Sequence, residues 1–137
     1  MYPSPPQFKS YLVIFLLAFT ATFSLPALAV QVNVITEAKK LILNRDFNAA
    51  YQLLEPLEAE RAGDVDYDYL FGVAGVESGN VSRGAFALER VLALDPSNKD
   101  ARAEMAKAHF ILGEIDASKL EFNNVLKQSP DAATKNY

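Results

Sequence analysis

The side chains that most often carry out chemistry are sparse in this sequence and are not grouped. Its 137 residues include one histidine, His109, and no cysteine, so a structural zinc site of cysteine and histidine ligands cannot be assembled. We expect His109 to be a packed ring and not a catalytic base or a metal ligand. Serine, lysine and acidic residues are scattered without a shared motif. We therefore predict that the protein is not an enzyme and takes no metal or cofactor.

One acidic stretch resembles the opening of a calcium loop, because Asp64, Asp66 and Asp68 alternate along the chain. However, Tyr69 stands where such a loop needs glycine, and Gly75 stands where it needs a bidentate glutamate. We expect the aspartates to cap the start of a helix and to complement its dipole.

The charge pattern argues against nucleic acid as a partner. The formal net charge is −4, and the longest cationic run is Lys39-Lys40. Tracking a phosphate backbone requires a far more extensive basic stripe. We therefore do not expect nucleic acid as a partner.

The elements that must position these residues follow from an internal repeat of about 34 residues. The sequence aligns with itself without gaps over Gln31–Asp64, Val65–Asn98 and Lys99–Ala132. Small residues recur at two slots, where two helices must approach closely. They are Ala38, Gly72 and Ala106 at one slot, and Ala50, Gly84 and Ser118 at the other.

These repeats resemble the tetratricopeptide repeat, a helix-turn-helix unit of this length. The second repeat, VDYDYLFGVAGVESGNVSRGAFALERVLALDPSN, keeps the first-helix glycine Gly72, the turn glycine Gly79 and the closing Asp95-Pro96. The first repeat has Arg45 in place of the turn glycine. The resemblance implies an all-α fold, a right-handed superhelical stack of three such hairpins preceded by a signal-peptide helix.

Six helices are expected, at about 32–44, 47–61, 66–78, 82–94, 99–112 and 115–128. Glycine at Gly79 and Gly113 permits the sharp turn within a hairpin. Pro56 falls inside the second helix, where it either bends the helix or restarts it as a first-turn residue. The apolar stripe that continues across Pro56 favours the bend.

Arrays of this kind hold an extended or helical peptide on the face lined by the first helix of each repeat. Counting from the repeat starts predicts a groove that is apolar with two cationic points. Its lining residues are Ile35, Lys39, Tyr69, Val73, Val76, Ala103, Lys107 and Phe110. The alternative is that Tyr69 and Phe110 are partly packed core residues without a ligand.

Some members of the family grip a peptide C-terminus with paired Lys, Arg and Asn side chains. The matching places in this sequence hold Ile35, Leu70, Asp100 and Glu104. The resemblance therefore implies that an acidic C-terminal tail is not the ligand.

The two ends of a repeat stack need special treatment. Asn33, Thr36, Glu37 and Lys40 make the outer side of the first helix polar, as expected for a capping repeat. The last repeat instead presents Phe122, Val125 and Leu126, followed only by a short tail. We expect this docking edge to be covered by a continuing chain, a second copy or a partner.

The N-terminal segment has the pattern of a secretory signal peptide. Lys9 precedes the apolar run Tyr11–Phe23, and Ala27-Leu28-Ala29 is the small-x-small pattern of a cleavage site. The run is shorter than the roughly 20 residues of a membrane-spanning helix. We predict a signal peptide at 1–29, a repeat domain at 30–132 and a tail at 133–137, with export to a bacterial periplasm.

A narrower resemblance concerns the strings AAYQLLEPLEAERAGDVDYDYLFGVAG, FALERVLALDP and ARAEMAKAHFILGE. They are similar to the periplasmic repeat region of outer-membrane proteins of the surface lipoprotein assembly modifier type. This implies a periplasmic module that engages cargo and serves outer-membrane or surface-protein assembly. The alternative is a structural unit whose docking edge pairs with another copy or with a downstream domain.

Overall fold

The computed structural model describes residues 25–128, which form α-helices joined by short turns, with no strand in that range. The helices are α1 Leu25–Leu43, α2 Phe47–Leu54, α3 Glu58–Arg61, α4 Val65–Glu77, α5 Val81–Leu94, α6 Lys99–Ile111 and α7 Ile115–Lys127, with a 3-10 turn at Glu55–Leu57. The all-α fold class is confirmed. Most helix boundaries lie within two residues of those expected from the sequence, but α1 begins at Leu25.

The chain divides into two compact units, Met1–Asn33 and Val34–Tyr137. Of the first unit, the structure describes residues 25–33, which are helical and include Ala27 and Ala29. The rest of the proposed signal peptide and the tail at 133–137 lie outside the described residues. Among the helices of residues 25–128, none combines the length and the apolar character that crossing a membrane requires.

Neighbouring helices of the second unit pack in chain order. Helix α4 packs on α5, α6 packs on α7, and α5 packs on α6, so that consecutive hairpins are stacked. Helix α4 also contacts α2 and α6. The first helices of the second and third hairpins are therefore adjacent, as the repeat pattern predicts.

Small residues allow the close helix contacts that the sequence predicts. A Cβ atom added at Gly84 would lie 2.6 Å from the backbone nitrogen of Val76 and 2.7 Å from the carbonyl oxygen of Gly72. In the third hairpin, the equivalent Ser118 donates a buried hydrogen bond of 2.7 Å to the carbonyl oxygen of Ala106. Both slots of the repeat thus lie where helix backbones meet.

Polar side chains begin the helices. The Asp64 carboxylate accepts hydrogen bonds from the backbone N–H groups of Asp66 (3.1 Å) and Tyr67 (3.3 Å), which confirms that it caps α4. The Asn98 side chain caps α6 by accepting from the N–H of Ala101 at 2.9 Å. These contacts satisfy donors that the first turn of a helix leaves free.

The turns within the hairpins adopt the left-handed backbone conformation. Gly79 and Gly113 have φ values of 90° and 79°. Arg45 holds the equivalent place in the first hairpin with φ 61°, a value that costs a residue with a Cβ atom free energy. The repeat geometry therefore overrides the local preference of Arg45.

The expectation of one bent helix across Pro56 is wrong, because α2 ends at Leu54 and Pro56 lies in the first turn of a 3-10 segment. Proline cannot donate the backbone hydrogen bond that a continuous helix needs there. The interruption has a compensating contact, since the Tyr67 hydroxyl donates a buried 2.9 Å hydrogen bond to the carbonyl oxygen of Leu54. Pro56 thus behaves more like the alternative, a residue that opens a new turn.

The buried apolar side chains form two clusters. The first is built around Tyr51, Leu54, Tyr67 and Phe71, and the second around Val76, Leu88, Val91 and Met105. Tyr69 is partly buried and packs against both clusters. It therefore contributes to the core while also reaching the surface described next.

Candidate functional site

A pocket lies between α1 and α4. Its volume is about 470 Å³, and its lining residues are Lys39, Ile42, Leu43, Asp66, Tyr69 and Leu70. We call it the Lys39 pocket. Both Lys39 and Tyr69 line it, and these are two of the groove residues that the sequence predicts, on two successive first helices.

A smaller pocket of about 170 Å³ continues between α4 and α6. We call it the Tyr69 pocket, and its lining residues are Val65, Asp66, Tyr69, Asn98 and Asp100. Burial raises the pKa of the Tyr69 hydroxyl, and the negative charges of Asp100 and Glu104 raise it further. The ring of Tyr69 is therefore held in a negative electrostatic environment.

The pocket of about 390 Å³ lies on α6 and α7 and is lined by Ala103, Lys107, Phe110 and Phe122. We call it the Phe110 pocket. The Phe110 side chain is 62% exposed and that of Phe122 is 46% exposed. An apolar side chain from another molecule could cover both rings and remove them from water.

The other predicted groove residues are less accessible. Val73 and Val76 are buried, and Ile35 is partly buried against the first core cluster. Lys107 forms an ion pair with Glu77, so the second of the two predicted cationic points is neutralised by a neighbour. The surface that the first helices offer is therefore concentrated at Lys39, Tyr69, Ala103 and Phe110.

Sequence reasoning missed the acidic lining of the groove. The sequence pattern predicts Asp66 only as a charge near the start of a helix. It identifies Asp100 only as a residue that does not match a basic clamp. The structure brings both to the pocket that contains Tyr69. A signal was available, because both residues lie in the first turn of a first helix, at the same position of their 34-residue repeats.

The docking edge predicted at the last helix is exposed in part. The side chain of Leu126 is 54% exposed and that of Phe122 is 46% exposed, whereas Val125 is partly buried. Phe122 also lines the Phe110 pocket. Two surfaces that the sequence predicted as separate thus share one aromatic ring.

The single histidine of the sequence, His109, is paired with an acidic side chain. The Nδ1 atom of His109 lies 2.5 Å from a carboxylate oxygen of Glu114, at the turn that leads into α7. Over residues 25–128, no group of three or more histidine or acidic side chains is arranged to hold a metal ion.

Stacked helix-turn-helix units with pockets along their first helices define a solenoid-like interaction fold. Residues 75–135 match a family model described as Tetratricopeptide repeat, which supports the assignment of this part of the chain to that family. A comparison with curated proteins found no match. Tetratricopeptide repeats generally mediate contacts between proteins.

Proposed function

We propose that this protein binds an extended segment of a partner protein on the face formed by α1, α4 and α6. The observation that carries the proposal is that three pockets are lined by residues of these helices. The Lys39 and Tyr69 pockets share Asp66 and Tyr69, and the Phe110 pocket follows on α6. Each pocket offers a place for one side chain of a bound segment, which gives the binding its specificity.

The matched test uses two phenylalanines of similar exposure. Phe110 is 62% exposed and lines a pocket, while Phe86 is 60% exposed on α5 and lines none of the three pockets named above. Pull-downs from periplasmic and outer-membrane extracts should lose partners with Phe110→Ala and keep them with Phe86→Ala. Equal retention by both variants would count against the groove.

A second substitution tests the other end of the face. Tyr69→Ala combined with Phe110→Ala should remove binding more completely than either single change. Because Tyr69 also packs against both core clusters, the helical content and melting temperature of the double variant must be measured in parallel. Capture of the same partners by a folded double variant would reject the proposal.

We also propose that the protein is exported to a bacterial periplasm, on the basis of the apolar run at 11–23 and the cleavage pattern at Ala27 and Ala29. Mass spectrometry of the protein isolated from cells should give a chain that begins at residue 30. Ala27→Asp and Ala29→Asp should each block the processing. An intact N-terminus in the isolated protein would contradict export by this route.

A narrower role in outer-membrane or surface-protein assembly is proposed from the three similar strings in the sequence. Crosslinking in intact cells should then recover outer-membrane proteins, and Phe110→Ala should reduce their yield. Recovery of soluble periplasmic proteins alone would favour a more general binding role.

The second candidate function is structural, with the docking edge pairing to another copy or to a downstream domain. It is favoured by the exposure of Phe122 and Leu126 and by the burial of only Ser118 among the residues of α7. Phe122→Ser with Val125→Ser should dissolve any self-association seen by light scattering, whereas Phe86→Ser should not. A monomeric wild-type protein that binds no hydrophobic dye would argue against this role.

A further inference from the structure

We infer that the groove selects a partner segment with two features: a lysine or arginine side chain that enters the Tyr69 pocket, and a large apolar side chain about four residues away that enters the Phe110 pocket. The inference rests on the proposed peptide-binding function and specifies the chemistry of the partner. It adds an acidic subsite to the groove that the sequence predicts, which is apolar with two cationic points.

The first argument is the state of the carboxylates at Tyr69. Asp66 and Asp100 are exposed and line the same pocket as Tyr69. Neither side chain forms a hydrogen bond or an ion pair with residues 25–128. Other acidic side chains of the same two hairpins are already used, since Asp68 pairs with Arg90 and Glu77 pairs with Lys107. The Tyr69 pocket therefore has negative charge available for a guest.

The aromatic ring adds a second attraction for a cation. A lysine or arginine over the face of a tyrosine is attracted by the ring quadrupole, and flanking carboxylates strengthen this contact. The volume of about 170 Å³ limits the guest to the end of one side chain. A compact cationic group on a flexible stem fits these conditions, while an acidic group would meet two like charges.

Glu104 extends the negative region one turn along α6. Its Oε2 atom is buried without a hydrogen-bond partner among the described residues. Burial raises the pKa of Glu104; Lys107 opposes this rise, and Glu77 and Asp100 add to it. A buried carboxylate oxygen without a partner is uncommon in folded proteins, and a donor supplied by a bound segment would satisfy it.

The cations near the groove determine which end takes the charged side chain. Lys107 lines the Phe110 pocket but is paired with Glu77, so that pocket is left with aromatic and aliphatic walls. Lys39 lines the Lys39 pocket together with Asp66 and weakens the negative field there. The most favourable place for a cationic guest is hence the side of Tyr69 that faces Asp100.

The spacing of the two guest side chains follows from helix geometry. Asp100, Ala103, Lys107 and Phe110 recur at intervals of three and four residues and so lie on one face of α6. The Phe110 pocket is centred about eight residues beyond the start of α6, or about 12 Å along its axis. An extended chain advances about 3.3 Å per residue, so about four residues separate the two guests.

The test uses fluorescein-labelled nonapeptides of glycine and serine that carry lysine at the third position and phenylalanine at the seventh. Their binding to the processed protein is measured by fluorescence anisotropy at low ionic strength. Replacing the lysine of the peptide by glutamate should weaken binding about fivefold or more, because one attraction is lost and like charges are opposed. Raising the salt concentration should shrink this ratio.

Variants of the protein locate the effect. Asp66→Asn with Asp100→Asn should bring the lysine-to-glutamate ratio close to one, and Lys39→Gln should increase it. The control Glu60→Gln with Glu89→Gln removes the same charge from exposed positions outside the pockets and should leave the ratio unchanged. A ratio that falls equally in both double variants would show a general charge effect and overturn the inference.

The possible failures can be told apart. If lysine and glutamate peptides bind equally but Phe110→Ala weakens both, the cationic subsite is wrong and the peptide-binding function stands. If a peptide with two residues between the guests binds as well as the designed one, the proposed spacing is wrong. If no peptide binds at millimolar concentration, both the subsite and the peptide-binding function are contradicted.

Discussion

The junction between the first and second hairpins differs from the third hairpin in how it buries apolar and charged side chains. At the junction, Phe71 stacks on Tyr51 and Tyr67 with ring centroids 5.3 and 5.7 Å apart. The Arg83 guanidinium lies 5.6 Å from the Phe71 ring centroid and donates to Glu58 at 2.6 Å. Apolar rings and charges are both paired within the chain.

The last hairpin leaves much of its apolar surface in water. Large side chains between 42% and 62% exposed cluster there, and they are Phe110, Ile111, Leu112, Ile115, Leu120, Phe122 and Leu126. An ion pair between Arg102 and Glu121, with a distance of 2.6 Å, joins α6 to α7. The apolar surface beside it remains exposed. The junction therefore buries its large apolar side chains within the chain, whereas the last hairpin leaves many of them exposed.

The largest expected contrast comes from the same substitution in the two regions. Leu54→Ala should lower the free energy of unfolding by about 3 kcal/mol, because Leu54 is fully buried in the first core cluster. Leu126→Ala should change it by no more than about 0.5 kcal/mol, since that side chain is 54% exposed. Urea unfolding followed by circular dichroism measures both, and similar losses would remove the distinction between the regions.

The next contrast compares the close helix contacts of the second and third hairpins. Gly84→Ala should lower the free energy of unfolding by about 2 kcal/mol, because the new Cβ atom would clash with backbone atoms. The better helix propensity of alanine offsets this clash only in part. Ser118→Ala removes one buried hydrogen bond and should cost about 1 kcal/mol. Thermal unfolding of the two variants would contradict this view if Gly84→Ala were neutral.

A smaller effect is expected from the buried charge at the front junction. Asp68 is fully buried and accepts from Arg90 Nε at 3.0 Å, from Arg90 Nη2 at 2.6 Å and from the backbone N–H of Gly63 at 2.8 Å. Asp68→Asn keeps the shape of the side chain but removes its charge, and it should lower the free energy of unfolding by about 1.5 kcal/mol. This loss is smaller than is usual for a buried ion pair, because Arg90 is partly exposed.

The matched control for Asp68 is Asp66→Asn, since Asp66 lies two residues away on the exposed side of α4. It should alter stability by less than about 0.5 kcal/mol. Denaturant titrations at neutral pH compare the two variants. An equal loss in both would show that the helix dipole, and not the buried ion pair, accounts for the effect at Asp68.

Much of the fold could be predicted from the sequence because its signals are local or periodic. Glycine at Gly79 and Gly113 marked the turns, and the recurring small residues located the close contacts at Gly84 and Ser118. The pairing of Asp68 with Arg90 could not be predicted in this way. Its members are 22 residues apart, and no local pattern links a carboxylate to one particular distant arginine.

The candidate site was predictable only in part for the same physical reason. Repeat counting identified Tyr69 and Phe110 on the first helices, and both line pockets. It could not show that Glu77, 30 residues before Lys107, neutralises that lysine. The charge of a groove depends on which side chains are already paired, and pairing is decided by the packing of whole helices.

The smallest expected effect is a gain at the front of the stack, where the first hairpin has a weakness that the others lack. Arg45 adopts φ 61° at its turn, where Gly113 adopts 79° in the third hairpin. Arg45→Gly should raise the free energy of unfolding by about 1 kcal/mol, because glycine adopts a positive φ without the steric cost of a Cβ atom. Urea unfolding of the variant measures this gain.

Two further variants separate the backbone effect from the loss of a charged side chain. Arg45→Ala removes the guanidinium but keeps the Cβ atom in the left-handed conformation, so it should bring no gain. Gly113→Ala creates the same strain in the third hairpin and should cost about 1 kcal/mol, since a Cβ atom there meets nothing within 4 Å and only the backbone conformation opposes it. Stabilisation by Arg45→Ala equal to that by Arg45→Gly would assign the effect to charge and not to the turn.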